Sequence, residues 1–236
     1  MLATIKNYSR VLFDPVFLTK HRLRRTLIAV LGPALQRGGG GGRCLDVGCG
    51  DRPYEDLFAP RQYVGVDVKH SGRPVSMKQP DRFYDGKVLP YANDSFDLVM
   101  STQVLEHVPD PLALLIEMAR VCKPGGEIVV SLPFVYQEHE EPFDFLRFTS
   151  FGIAELLGRV GLQTLECRKD TTALETLAIL LNVYVIHNLV PPIKGAGRVY
   201  ALFFCAPVQL LAMLLAKILP DRGQLYLNLV VRARKG

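Results

Sequence analysis

The stretch that decides the fold is "CLDVGCGDRPYEDLF", Cys44 to Phe58. Apolar residues run into a Gly48-Cys49-Gly50 turn, and 53–58 reads as a helix. A Gly-x-Gly after a strand bends the chain sharply and lets backbone N–H groups approach a ligand with no Cβ in the way. It therefore marks a nucleotide-like site at the C-terminal edge of the first strand. Pro53 stands where a dinucleotide fingerprint has its third glycine, the one that packs a helix closely around a pyrophosphate, so a ligand without phosphates fits this loop better than a nicotinamide dinucleotide. No G-x-x-x-x-G-K-[ST] occurs, which excludes a P-loop. Asp67 closes the next strand-like segment, 21 residues after Asp46, about where an acidic side chain meets a ribose diol. Alone, the turn is also compatible with a plain tight bend and Asp67 with a strand-end cap; Cys44 and Cys49 read as small core residues.

Outward from this loop, strand-like and helix-like segments alternate: 44–48, 63–68, 96–101 and 127–133 as strands, with a helix from Pro111 to about Val121. Asp110 suits the N-cap of that helix, Pro111 its first position, and "KPGG" (123–126) its end. A second helix runs from about Ser150 to Val160, followed by strands at 162–168 and 224–234. Alternation of this kind predicts a parallel sheet with crossover helices. Residues 16–36 read as a basic amphipathic helix, broken by the flexible linker "RGGGGGR" (37–43). The division that follows is 1–42 for the N-terminal helix and linker, 43–172 for the core, 173–221 for an apolar insert and 222–236 for the last strand.

With 236 residues and 49% hydrophobic composition, the chain has enough apolar material for one full core and an appended subdomain. Twenty-eight basic and 23 acidic residues give a net charge of +5, which does not indicate nucleic acid binding. The five cysteines form no C-x-x-C pair, so neither a disulfide framework nor a zinc site is expected and no metal ligand is assigned. Basic residues from Lys6 to Arg25 interrupt any apolar signal region, and the expected location is the cytoplasm.

The segments "LDVGCGDRPY", "YVGVDV", "DGKVLPYANDSFDLVMSTQVLEHVPDPLALLIEMARVCKPGGEIVVSLP" and "GLQTLECR" resemble, in order and spacing, the class I S-adenosylmethionine (SAM) dependent methyltransferases. The resemblance implies an α/β fold: a Rossmann-like, seven-stranded, mostly parallel sheet with helices on both faces and an antiparallel last strand, here preceded by the apolar helical insert. It implies SAM as cofactor. Asp46 would orient the loop or the cofactor ammonium, Gly48, Cys49 and Gly50 would pass beneath the methionine part, and Asp67 with Val68 would hold the ribose. Asp85 and Gly86 would meet the adenine, while Ser101, Thr102 and Gln103 would line the cofactor near its sulfonium. "DRPY" departs from the family's third glycine, and Arg52 is expected to pair with the cofactor carboxylate instead.

The loop after "EIVVSLP", namely "FVYQEHEEPFDFLRFTS" (134–150), sets polar groups among aromatic ones and is the expected acceptor side. It resembles a "HEEPFDFxRFT" segment of a bacterial methyltransferase subgroup linked to cell-envelope and glycan or lipid modification. His139 is the candidate general base, with Glu140 or Asp144 fixing its tautomer. Asp144 is therefore named with His139 as catalytic, and Tyr136, Glu140, Arg147 and His107 as acceptor-binding. Two alternatives stand beside this: Asp144 and Arg147 forming an ion pair that locks the loop, and Glu106–His107 as a structural pair.

Residues 199–216, "VYALFFCAPVQLLAMLLA", carry no charge over 18 positions, the length of a membrane-span candidate. The strands at 162–168 and 224–234 are expected to share one sheet, so the chain should return to the side it left. Residues 173–193 make a poor second span because they contain Glu175, Asn182, His187 and Asn188. Two helices lying on one leaflet satisfy both constraints, with basic residues adding attraction to anionic lipid. The expectation is a methyltransferase acting on a small, lipid-linked or amphipathic acceptor, peripheral at the inner face of the cytoplasmic membrane. Alternatives are a soluble small-molecule methyltransferase with an apolar lid or homodimer interface, and an inactive SAM-fold scaffold.

Overall fold

A computed structural model describes residues 14–36 and 41–236. Lys6, Arg10 and most of the glycine linker lie outside the described residues. The chain forms two compact units, Met1–Arg25 with Lys169–Leu227, and Thr26–Arg168 with Asn228–Gly236. Helix α1 (Phe17–Gln36) contributes residues to both.

The larger unit is built on a seven-stranded sheet of order β3-β2-β1-β4-β5-β7-β6. Its strands are β1 (Arg43–Val47), β2 (Gln62–Val68), β3 (Arg82–Tyr84), β4 (Phe96–Thr102), β5 (Cys122–Pro133), β6 (Leu162–Lys169) and β7 (Asn228–Lys235). β1 pairs in parallel with β2 and β4, β2 with β3, and β4 with β5; β7 lies antiparallel to β5. The central strands are nearly continuous apolar runs, as expected where both faces are covered: Leu45, Val47, Val66, Leu98, Val99, Met100, Val129 and Val130 are all buried. Helix α2 (Pro111–Val121) has its first turn capped by Asp110, whose Oδ1 accepts from Ala113 N at 3.1 Å, and α3 (Ser150–Arg159) is capped by Thr149. The expected sheet, with its antiparallel last strand, is the one observed.

Several local expectations are corrected. The segment 53–58 is not an α-helix but a single 3-10 turn, Glu55–Phe58, because Pro53 and Pro60 bracket too few residues for more. β5 begins at Cys122 and runs through "KPGG", and β7 begins at Asn228, later than the 224 expected. β3, three residues long, carried no readable pattern.

In the smaller unit, α4 (Ala173–Asn188) is opened by a Thr172–Glu175 capping box. A second apolar helix, α5 (Ala196–Leu215), contains a π-helical turn at Ala201–Cys205. Three polar residues of these helices, Glu175, Asn182 and Gln209, are buried and fasten the unit internally. Asn182 Nδ2 donates to Pro15 O and Cys205 O, Gln209 Nε2 donates to Asp14 O while its Oε1 accepts from Leu18 N, and buried Glu175 pairs with Arg22. Exposed faces are apolar instead: Leu177, Leu181 and Tyr184 form one stripe of α4, and Phe203, Leu211 and Leu214 stand out from α5. α5 is long and apolar enough to cross a membrane, and only 28% of its most apolar 18-residue window is buried.

Candidate active site

At the C-terminal ends of β1, β2 and β4 the larger unit opens into a cleft of about 840 Å³, within the roughly 300–1,000 Å³ usual for small-molecule sites. Of the residues expected to bind cofactor, Asp46, Gly48, Cys49, Gly50, Asp67, Val68, Asp85, Gly86, Thr102 and Gln103 line it; Arg52 and Ser101 do not. Of the acceptor group, His107 and Glu140 line it, while Tyr136, His139, Asp144 and Arg147 stand behind its wall.

The glycine loop is held in place by β2. Gly48 has φ +76, and a Cβ there would fall 2.4 Å from the Val104 side chain, so no other residue fits. The N–H groups of Gly48 and Cys49 donate to Val66 O, and Gly50 N–H donates to Asp67 Oδ2 at 2.9 Å. Asp67 Oδ1 takes Val68 N–H at 2.7 Å and the buried Lys78 ammonium at 2.9 Å. Lys78 is the residue that sequence reasoning missed; it also donates to Val68 O and Ser71 Oγ, and nothing in "VSMKQP" signalled it. Arg52 is not free for a cofactor carboxylate: it pairs with Asp81 at 2.7 Å and donates to Gln79 O, tying the loop to the start of β3. Ser101 Oγ donates to Val47 O inside the sheet.

Asp46 is buried, and desolvation pushes its carboxyl up to about 7 although the Tyr63 hydroxyl donates to Oδ2 at 2.7 Å. Asp85 is exposed, with Oδ1 accepting from Lys87 and Val88 N–H. Thr102 Oγ1, on the cleft wall, has no hydrogen-bond partner among the described residues.

Across the cleft, the loop after β5 is bolted to the 3-10 turn Leu105–His107 (η-turn after β4). Phe145 and Leu146 N–H both donate to Glu106 O, and His107 Nδ1 meets Phe143 O at 2.6 Å. Asp144 is gripped by Arg147 through two bonds of 2.6 and 2.7 Å, which hold its carboxyl well below the usual carboxylate range, and it accepts from His139 N–H. That is the loop-locking pair, and it makes Asp144 a positioning residue. His139 stacks edge-on against His107, ring centroids 4.7 Å apart. Gln103 and Glu140 both hold positive φ, 55°, on this wall. Gly72 meets Glu140 so closely that a Cβ would fall 2.2 Å from its side chain, and Arg73 Nε donates to Glu140 Oε1 at 2.6 Å, joining the loops after β2 and β5.

The methyltransferase domain family matches residues 19–165, more than half of the chain. The chain belongs to that family. This methyltransferase domain is 41% identical over 95 residues to an uncharacterised methyltransferase of Mycobacterium tuberculosis, a match covering 37% of each chain, so it spans little more than a third of that relative's length. Among solved structures, a SAM-dependent methyltransferase from Mesorhizobium loti superposes with a TM-score of 0.53 at 18% identity, covering 87% of this chain and 98% of that one. Phosphoethanolamine N-methyltransferase 2 of Haemonchus contortus, in complex with SAM, gives 0.55 at 16% identity, covering 89% and 52%. These likenesses are to the fold. SAM is the cofactor of the family, and the cleft fits it. Gly48 leaves no room for a side chain, Asp67 keeps acceptor capacity beyond its three donors, and the Thr102 hydroxyl has no partner among the described residues.

Proposed function

We propose that the protein transfers a methyl group from SAM to a small, lipid-linked or amphipathic acceptor at the cytoplasmic face of a membrane. When bound, SAM supplies a methyl carbon already activated by its sulfonium, so the chain has mainly to align the acceptor and handle its proton. Asp67 is assigned to the ribose hydroxyls, Asp85 to the adenine amino group and Asp46 to the ammonium. Gly48, Cys49, Gly50 and Val68 shape the floor, and Thr102 and Gln103 stand at the reacting end. Acceptor activation is assigned to the group Glu106, His107 and His139, of which His107 is the member on the cleft wall. Arg147 and Asp144 hold the loop that carries His139.

The observation that supports an amphipathic acceptor is the apolar stripe of α4 together with the exposed aromatic and aliphatic side chains of α5, flanked by exposed Lys194, Arg198 and Lys217. Helices of that composition partition to a lipid interface through buried apolar area plus attraction to anionic headgroups. Flotation with anionic vesicles tests it: the full chain should float, and high salt should weaken but not abolish binding. Mass spectrometry of membrane extracts incubated with SAM should then show a lipid fraction heavier by one methyl group. A chain that stays down at low salt as a dimer would assign the apolar faces to self-association, and as a monomer to a lid.

A further inference from the structure

Three side chains from two loops converge at the cleft wall: Glu106 and His107 from the turn after β4, and His139 from the loop after β5. One ligand atom from each lies within 4.8 Å of the other two. We propose that Glu106, His107 and His139 bind a divalent transition-metal ion of the zinc and iron class.

Both imidazoles are set as ligands. His107 Nδ1 is 2.6 Å from Phe143 O, an acceptor, so this nitrogen carries the proton and Nε2 keeps the lone pair. His139 Nδ1 lies 3.2 Å from Asp144 Oδ2 and 3.3 Å from Gln137 O, again acceptors only, which fixes the same tautomer. A carbonyl or carboxylate behind each ring is how metal-binding histidines are oriented. Glu106 is fully buried, and neither of its oxygens has a hydrogen-bond partner among the described residues. Its nearest basic nitrogen, His107 Nε2, stands 3.9 Å from Oε1, too far for a hydrogen bond. At that separation a plain Glu–His pair leaves both Glu106 oxygens without a hydrogen bond, whereas one cation would take a ligand atom from all three side chains. Bonds of about 2.0–2.1 Å to an ion draw the ligand atoms in by about an ångström.

Two imidazoles and one carboxylate select the borderline divalent ions over magnesium or calcium, which favour all-oxygen sites. Three protein ligands leave a coordination position open. Because His107 is part of the cleft wall, an oxygen-bearing acceptor is the group that would take it, a role that rests on the methyltransferase reading whereas ion binding does not.

The test uses the untagged full chain, freed of metal with a chelator and titrated with Co2+ near neutral pH. One Co2+ per chain should bind with a visible d–d band, Zn2+ should displace it, and Mg2+ should not. Glu106→Gln and His139→Ala should each weaken binding at least about tenfold while far-ultraviolet circular dichroism and a cooperative melt show the fold intact. Should a variant not fold, X-ray absorption on the Co2+-loaded unaltered protein decides, since two imidazoles in the coordination shell are required. No stoichiometric uptake, uptake unchanged in both variants, or a shell without two imidazoles overturns the site. None of these readouts uses methyl transfer, so ion binding without transfer would sink the functional reading and leave this inference standing.

Discussion

Asp67 and Glu106 are both buried carboxylates, one in the cleft and one behind its wall, and the chain treats them in opposite ways. Asp67 meets Gly50 N–H, Val68 N–H and the Lys78 ammonium, so its charge is balanced and its direction set with no ligand at hand. The Glu106 oxygens have no hydrogen-bond partner among the other described residues, and burial pushes the carboxyl up to about 8. The cofactor side is thus preorganised by the protein itself, which lowers the cost of binding. The wall across the cleft holds an unsatisfied group whose electrostatics a proton or a cation would complete.

Asp67→Ala attacks the preorganised side and should have the largest effect. Two ribose hydroxyls lose a charged acceptor, each bond contributing about 1.5–3 kcal/mol, so S-adenosylhomocysteine affinity measured by calorimetry should fall at least about a hundredfold. The same change strands a buried lysine, at a cost of about 3–5 kcal/mol of stability. Asp67→Ala with Lys78→Met should recover the melting temperature and not the affinity; unchanged affinity in the single variant would remove Asp67 from the site.

On the other side, His139→Ala should lower turnover by roughly 10²–10⁴, with S-adenosylhomocysteine affinity nearly intact. A variant with full turnover returns His139 to a loop-holding role.

A third expectation concerns pH. The folded-state pKa values of Asp46 and Glu106 are raised, to about 7 and about 8. Between the unfolded and folded values, the native state therefore binds more protons than the unfolded one, and stability falls as pH rises, by about 1.4 kcal/mol per unit for each group in its window. Ligand-free protein should melt at progressively lower temperature from about pH 5 to 8, and Glu106→Gln should flatten the upper part of that slope. A melting temperature that rises over this range would show both carboxyls to be ionised and partnered in solution.

The smallest effect is expected at Arg73, whose side chain is 56% exposed. Arg73→Ala should change stability by less than about 1 kcal/mol but speed dissociation of S-adenosylhomocysteine in stopped-flow measurements, because the two loops lose their tie. Equal dissociation rates would leave that ion pair a surface contact.

The cofactor side was legible because its signals are local. Gly48 and Gly50 follow the end of β1, Asp67 is the penultimate residue of β2, and Asp110-Pro111 announces its helix within two residues. The pairing of Arg52 had no sequence signal because its partners, Gln79 and Asp81, lie in the irregular segment between the 3-10 turn Val75–Met77 and β3. Lys78 was invisible for the same reason. At the acceptor loop, composition pointed to His139 and Asp144–Arg147, but the convergence of His139 on Glu106 joins residues 33 apart in sequence and exists only once β4 and β5 lie side by side. No spacing rule reports such a pair.

The antiparallel strand β7 carries one more consequence. The chain leaves the sheet at the end of β6 and re-enters it at β7, its hydrogen-bonded neighbour, so everything from Asp170 to Leu227 is spliced between two adjacent strands. A splice of that kind is closed by the sheet whatever its length, and closure entropy rises only slowly with added residues. Sequence drift can rewrite or replace the intervening helices without disturbing the register of β5 with β7. The apolar helices and the cleft-bearing sheet can therefore change in sequence on separate clocks.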